Sequence, residues 1–441
     1  MAVLSAFTNL DSLTFTLAVL IGSIAVLGSA CFYLFSRPPF PKNAPAHTSE
    51  TWPVLGALPF FTERWTFFQR AIAHSQTGNF SFYAGQWPVV GVSGQESRKV
   101  FFEHRGLGFA EGYAALLGGQ PQVKESGDPS QGDNGGDSGF SNYFNKRLIN
   151  MLKGPQLRQN LPQLLKDARS NLDALGSEGL TDPFDSIYRM VYQFTMRTVA
   201  CNEIANDPVL REKTLKLYET IEGTATPLTI MYPWLPLPAK FKRLYAGARL
   251  YTIFKGVVDE RNKNGFRDDD GLQYLMDQGD NITQIITFVL GALFAGQLNS
   301  GINAAWILVY LTSKPYWLDR VREEVKGVAD RYCPDDSPPL KERLMQVPIE
   351  AWEGEFPIID MCLRDSIRLQ ALGTTFRKNI SGHDIPLNKQ GEVIPSGAYV
   401  SLAVGDMHYD PKIYENPDEW DPARYLPERA EDKKQLYGCE S

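Results

Sequence analysis

GDMHYDPKIYENPDEWDPARY, residues 405–425, sets His408, Asp410-Pro411, Tyr414, Asn416-Pro417, Trp420, Pro422 and Arg424-Tyr425 at fixed offsets. Each proline pushes the residue before it into an extended conformation, so the stretch reads as a meander of turns. Aromatic side chains at such short intervals pin a meander onto a core. Arg424 stands among those rings, and a buried guanidinium needs an acceptor. A Pro-rich surface loop also gives Asp-Pro and Asn-Pro pairs, but the joint spacing points to a packed element.

Two upstream segments belong with it. Asp365 and Arg368 fall three apart, so on a helix they share a face and pair. Residues 281–311 are apolar, broken chiefly by Thr283, Gln284, Gln297, Asn299, Ser300 and Asn303. At ~1.5 Å per residue that run makes a helix of about 46 Å, longer than a bilayer core requires. The polar patch halfway along it argues against lipid on all sides. A helix crossing a globular core is predicted, with Ala295-Gly296 as a thin spot that admits a flat ligand.

These segments together resemble the cytochromes P450, over residues from about 50 to 437. Asp365-Ser366-Ile367-Arg368 sits where that family carries Glu-x-x-Arg, and Thr375-Phe376-Arg377-Lys378 follows at the family's distance. Ala295-Gly296-Gln297-Leu298-Asn299-Ser300 lies where the family's long helix carries its oxygen-binding groove. The string AGQLNSGINAAW is most similar to the sterol 14α-demethylases and to the group with sterol 7α-hydroxylases and prostacyclin synthase. The family's haem loop, Phe-x-x-Gly-x-x-x-Cys-x-Gly, does not occur; the sequence closes on Leu436-Tyr437-Gly438-Cys439-Glu440-Ser441. The expected fold is therefore mainly α with a small β region: a P450 fold, C-terminally truncated, with an N-terminal transmembrane helix.

The resemblance also implies roles. Asp365, Arg368 and Arg424 form a structural triad that ties one helix to the meander. Ala295, Gly296 and Arg377 hold haem b, with Arg377 on a propionate. Leu293, Phe294, Leu298, Leu372 and Thr374 face a bulky apolar substrate such as a sterol, terpenoid or lipid. In hydroxylating members an acid and a threonine follow the Ala-Gly pair and pass protons to dioxygen. Here Leu298 and Asn299 stand in those places, with Ser300 next, so Asn299 and Ser300 are the catalytic candidates. Asparagine hydrogen-bonds an oxygen but is not an acid. Three readings follow: a haem-thiolate monooxygenase fed by NADPH-cytochrome P450 reductase, an O2-independent isomerase or dehydratase, and a non-catalytic truncated chain that binds no haem. Cys439 lacks the flanking residues of the family's ligand loop, so no residue is assigned to the metal.

Bulk properties fit a large helical unit. The 441 residues are 43% hydrophobic and 12% aromatic, enough for a sizeable core. A net charge of −7 gives no basic stripe for nucleic acid. Five scattered cysteines and five histidines show no metal-ligand or redox spacing. Residues 13–35 carry no charge and, at ~1.5 Å each, span about 34 Å as a helix. Asp11 precedes them and Arg37 and Lys42 follow, which leaves the bulk of the chain cytosolic. A cleaved leader is the alternative, but the basic first region of one is lacking.

The expected organisation is an anchor over 1–36, a Pro-rich hinge over 37–60 and a P450-like catalytic domain over 61–441. A Gly-, Asp- and Ser-rich insertion at 118–139 interrupts the last. Expected location is the endoplasmic reticulum membrane, single-pass, with the reductase, membrane lipid and a small apolar substrate as partners.

Overall fold

The computed structural model describes residues 36–114, 139–176 and 179–434, together with 17, 19–26, 28 and 29. Most of the insertion expected at 118–139, and the closing segment with Cys439, lie outside the described residues. Within 13–35 the described positions are helical, and Leu17, Val19, Leu20, Ile21, Ile24 and Val26 are all exposed.

Two layers make up the body. The smaller is a five-stranded sheet in the order β1-β2-β7-β4-β3. Its strands are β1 (Phe80–Ala84), β2 (Trp87–Val92), β3 (Leu107–Gly108), β4 (Thr374–Asn379) and β7 (Tyr399–Ala403). A separate pair joins β5 (Ile385–Pro386) to β6 (Val393–Ile394). β1 and β2 form the predicted hairpin, closed through Gly85 at φ 63°, a conformation glycine adopts without a Cβ clash. β7 then runs parallel to β2 and antiparallel to β4. One apolar cluster, rich in phenylalanine, joins Phe60, Phe67 and Phe68 to Phe80, Phe82 and Phe376. The sheet thus brings β4, from late in the chain, against helices from its start.

The larger layer is helical. Its central element is the long helix Ile282–Ser313. The helix begins where Asn281 Oδ1 accepts from the amides of Thr283 and Gln284 while Gln284 Oε1 accepts from the Asn281 amide. It ends at Lys314-Pro315, because proline cannot continue a helix. Phe288, Val289 and Leu293 bury against Tyr192, Met196, Phe254, Leu272 and Leu275. Among the described residues this is the one helix long and apolar enough to cross a membrane, and nearly half of its most apolar window is buried inside the protein. That is the core-crossing helix the polar patch predicts.

Midway, at Gln297–Gly301, the helix widens into one π-type turn. Such a turn admits an extra residue and often marks a functional site. Gln297 is fully buried there and its Nε2 donates to the Tyr188 carbonyl, 2.6 Å away. Ala295 just before this turn, and Asn299 and Ser300 within it, are exposed.

Candidate functional site

The helix Pro357–Gln370 carries Asp365 and Arg368, both with no exposed surface. Asp365 Oδ1 accepts from Arg368 Nε at 2.7 Å, and its Oδ2 accepts from the Asp421 amide. Arg424 Nε lies 3.2 Å from the same Oδ1 but off the axis of a hydrogen bond, so that contact is Coulombic. Asp365 is one methylene shorter than the glutamate of the resembling pattern, yet it reaches both arginines.

The two guanidiniums organise the meander through its carbonyls. Arg368 donates to the carbonyls of His408, Pro417 and Glu419. Arg424 donates to those of Glu415, Asn416 and Glu419. Turns leave carbonyls without ladder partners, and these would otherwise be buried unsatisfied. Trp420 Nε1 donates to Ser366 Oγ at 3.0 Å and its ring stacks on Tyr310 of the long helix at 5.3 Å. The meander, the Asp365 helix and the long helix are thereby fixed to one another.

Sequence reasoning missed two members of this cluster. Glu431 Oε2 accepts from Arg424 Nη1 at 3.0 Å and its Oε1 from Arg429 Nη2 at 2.7 Å. These partners hold the Glu431 carboxyl below its ordinary value, although burial opposes them. No spacing announces Glu431, since a short 3-10 turn at Glu431–Lys434 brings it back.

The ligand-facing candidates divide. Ala295, Asn299 and Ser300 are exposed and Gly296 is half-buried, which makes an open shelf midway along the long helix. Asn299 Nδ2 donates to the Ala295 carbonyl at 2.7 Å, so the acceptor of this exposed side chain is its Oδ1. Phe294 sets its ring 6.2 Å from that of Tyr113. Leu372 and Thr374 are half-buried at the start of β4. The Leu298 side chain lies outside the described residues.

Leu293 corrects an expectation. It precedes Ala295 by two positions, about 200° around a helix, and is buried among Phe288, Val289 and Tyr192. It serves the helical core and not the shelf.

Arg377, on β4, donates through Nη1 to the Leu107 carbonyl at 3.0 Å, while its buried Nε has no partner. Burial pulls this guanidinium below its ordinary value. The short helix Phe109–Ala114 lies against β4, and a Cβ on Gly112 would stand 2.6 Å from Arg377 Cα.

Fold and site define a haem protein of the P450 class. The chain belongs to the cytochrome P450 family, whose sequence model matches residues 46–438. It is 34% identical to cytochrome P450 monooxygenase AacuE of Aspergillus aculeatus, over 95% of this chain and 84% of that one. It is also 34% identical to cytochrome P450 monooxygenase nsrP of Aspergillus novofumigatus, over 99% and 85%. An obtusifoliol 14-alpha demethylase of Sorghum bicolor shares 27% over 64% of this chain and 56% of that one, so the sterol resemblance is the weaker of the two. Among solved structures, retinoic acid-bound cyanobacterial CYP120A1 has the same fold, with a TM-score of 0.68 over 90% of this chain and 85% of that one at 19% identity.

The family's cofactor is haem, and two features here suit it. Ala295 is exposed and puts no large side chain on that side of the long helix, and the unpartnered Arg377 Nε offers a donor for an anionic oxygen. Among the described cysteines none suits the iron: Cys201, Cys333 and Cys362 are all buried in the protein's packing. Desolvation pushes the Cys362 thiol up to about 12, far from a thiolate. Cys31 and Cys439 lie outside the described residues.

Proposed function

We propose that this chain is a membrane-associated monooxygenase that oxidises a bulky apolar molecule of sterol, terpenoid or lipid type, with O2 and electrons from NADPH through cytochrome P450 reductase. The observation that carries the reading is the exposed stretch Ala295, Asn299 and Ser300 at the π-type turn, next to Phe294, whose ring lies 6.2 Å from that of Tyr113; Tyr113 in turn donates to Thr375 Oγ1 of β4 at 3.3 Å. When bound, haem supplies the iron at which dioxygen is activated. Ala295 and Gly296 leave room for it, and Arg377 Nε is the donor for a propionate. Asn299, turned by its bond to the Ala295 carbonyl, holds Oδ1 where a hydroxyl or a water hydrogen is accepted. Phe294, Leu298, Leu372 and Thr374 are proposed to shape the apolar space beside it.

Asp365, Arg368 and Arg424 act at a distance, by holding the meander beneath this region. The helical, exposed apolar residues Leu17, Val19, Leu20, Ile21, Ile24 and Val26 support a single-pass anchor in the endoplasmic reticulum, with 37–60 as hinge and 61–441 as the catalytic unit. Exposed Trp234, Phe241, Leu244 and Tyr245 extend the apolar surface available to lipid.

The chain, co-expressed with a P450 reductase and offered a panel of sterols, terpenoids and fatty acids, is expected to form a hydroxylated product only when NADPH is added. A haem-loaded preparation that converts none of the panel under those conditions sinks the reading. A second reading, an O2-independent isomerase or dehydratase, is favoured by Leu298 and Asn299 in place of an acid and alcohol pair. Turnover without NADPH or reductase distinguishes it.

A further inference from the structure

Two arginines on the helix Arg64–His74 are treated in opposite ways. Arg70 is surrounded by carboxylates: Glu50 at 2.7 Å and Glu63 at 3.2 Å. Arg64 is half-buried, and among the described residues no carboxylate pairs with it. Its Nε donates to the Phe60 carbonyl at 3.0 Å, and its Nη1 makes a long contact of 3.4 Å to Thr374 Oγ1. Its guanidinium carbon stands 4.6 Å from the ring centroid of Phe60 and 5.8 Å from that of Phe376. Ring faces attract a cation and compensate part of its lost hydration. They do not replace a counter-ion, and burial pulls Arg64 below its ordinary value. In a chain of net charge −7, a desolvated cation without an acid is a specific placement.

Arg64 forms part of the wall of a narrow, shallow slot that opens to solvent. Phe60, Phe61, Trp87, Ile230, Phe376 and Tyr399 supply most of the remaining wall. Trp87 Nε1 donates to the Ile230 carbonyl at 2.8 Å, which fixes one side. A row of packed rings links the slot's wall to the long helix: Phe376 lies 5.8 Å from Tyr113, and Tyr113 lies 6.2 Å from Phe294. An apolar slot with one unpaired guanidinium is complementary to an apolar molecule that ends in a carboxylate.

We infer that this slot binds the carboxylate end of an apolar acid, with Arg64 as the residue that selects the acid over the corresponding alcohol. The assignment of that acid as substrate rests on the monooxygenase reading; the binding itself does not. Guanidinium and carboxylate form a charge-assisted pair that a neutral hydroxyl cannot match.

The test uses the full chain, haem-loaded, and two probes of one shape: 2-naphthoate and 2-naphthylmethanol, titrated by calorimetry at pH 7.5. The wild type is expected to prefer the acid by about tenfold or more, the size of one hydrogen-bonded charge pair. Arg64→Gln is expected to abolish that preference and leave the alcohol within about twofold, since little apolar wall is lost. Arg64→Lys retains the charge and is expected to keep part of the preference. Equal affinity of the wild type for both probes overturns the inference, and this comparison needs no variant to fold. So does an acid preference that survives in Arg64→Gln, which locates the anion elsewhere. Failure here leaves NADPH-dependent oxidation untouched, and failure of oxidation leaves this binding intact.

Discussion

Arg424 brings its Nε within 3.2 Å of Asp365 Oδ1, and both side chains are all but fully buried. The carboxylate already holds Arg368 at 2.7 Å, so one acid serves two guanidiniums. Removing it strands the buried Arg368 cation, whereas Arg424 keeps Glu431. Asp365→Ala is expected to destabilise the chain by about 3–5 kcal/mol, the usual loss when a buried charge is stranded. Asp365→Glu restores the charge with a longer reach and is expected to recover most of it. Urea unfolding of the two variants measures both, and a loss below about 1 kcal/mol for Asp365→Ala sinks the account of the cluster.

His408 sits beside the same arginines, almost completely buried, with Nδ1 unpartnered. Burial, then the nearby Arg368 charge, pulls its imidazole down to about 4. The folded protein therefore disfavours the charged ring, and the unfolded chain takes up the proton first. Stability from the neutral ring is fully present above the ordinary value near 6.5 and is lost as pH falls toward about 4. Over that window the loss amounts to roughly 3 kcal/mol. Carboxylates contribute below about pH 5, so the clean comparison lies between 6.5 and 5. His408→Gln is expected to flatten the urea midpoint across that interval, and an unchanged slope refutes the assignment.

Gly112 packs the helix Phe109–Ala114 onto β4 with no room for a methyl group. A Cβ there would stand 2.6 Å from Arg377 Cα and 2.6 Å from the Phe376 carbonyl oxygen. Both are backbone atoms and cannot swing aside. Gly112→Ala is expected to cost about 1–3 kcal/mol through overpacking, although alanine favours helix elsewhere. The urea midpoint falls while the slope is kept if the fold survives.

The parts of the fold legible in the sequence are those written in short-range spacing. The meander and the Asp365-x-x-Arg368 step are local, and one resemblance orders them. The extent of the long helix was legible too, because its capping residues and Pro315 bracket an apolar run. The facing of Leu293 was not, since residues 288–295 are apolar on every side of the helix and composition cannot tell one face from another there. Glu431 escaped because a short turn, not a pattern, returns it to Arg424. The Arg64 slot draws walls from six separated stretches of chain, three of which the sheet that joins β2, β4 and β7 brings together.

Asn299 gives the prediction that separates chemistry from stability at the shelf. Its Nδ2 donates to the Ala295 carbonyl in an exposed part of the helix, so the bond contributes little to folding. Asn299→Ala is expected to change the unfolding free energy by less than about 1 kcal/mol. What it removes is the Oδ1 acceptor beside the thin spot. Turnover is then expected to drop by about tenfold, the effect of one hydrogen bond lost only during reaction, with KM little changed. Asn299→Thr keeps a hydroxyl that both donates and accepts, and is expected to restore turnover in part. If Asn299→Ala instead raises KM and spares kcat, the asparagine holds substrate and has no part in the oxygen chemistry. If neither constant moves, the side chain serves only to satisfy its own helix.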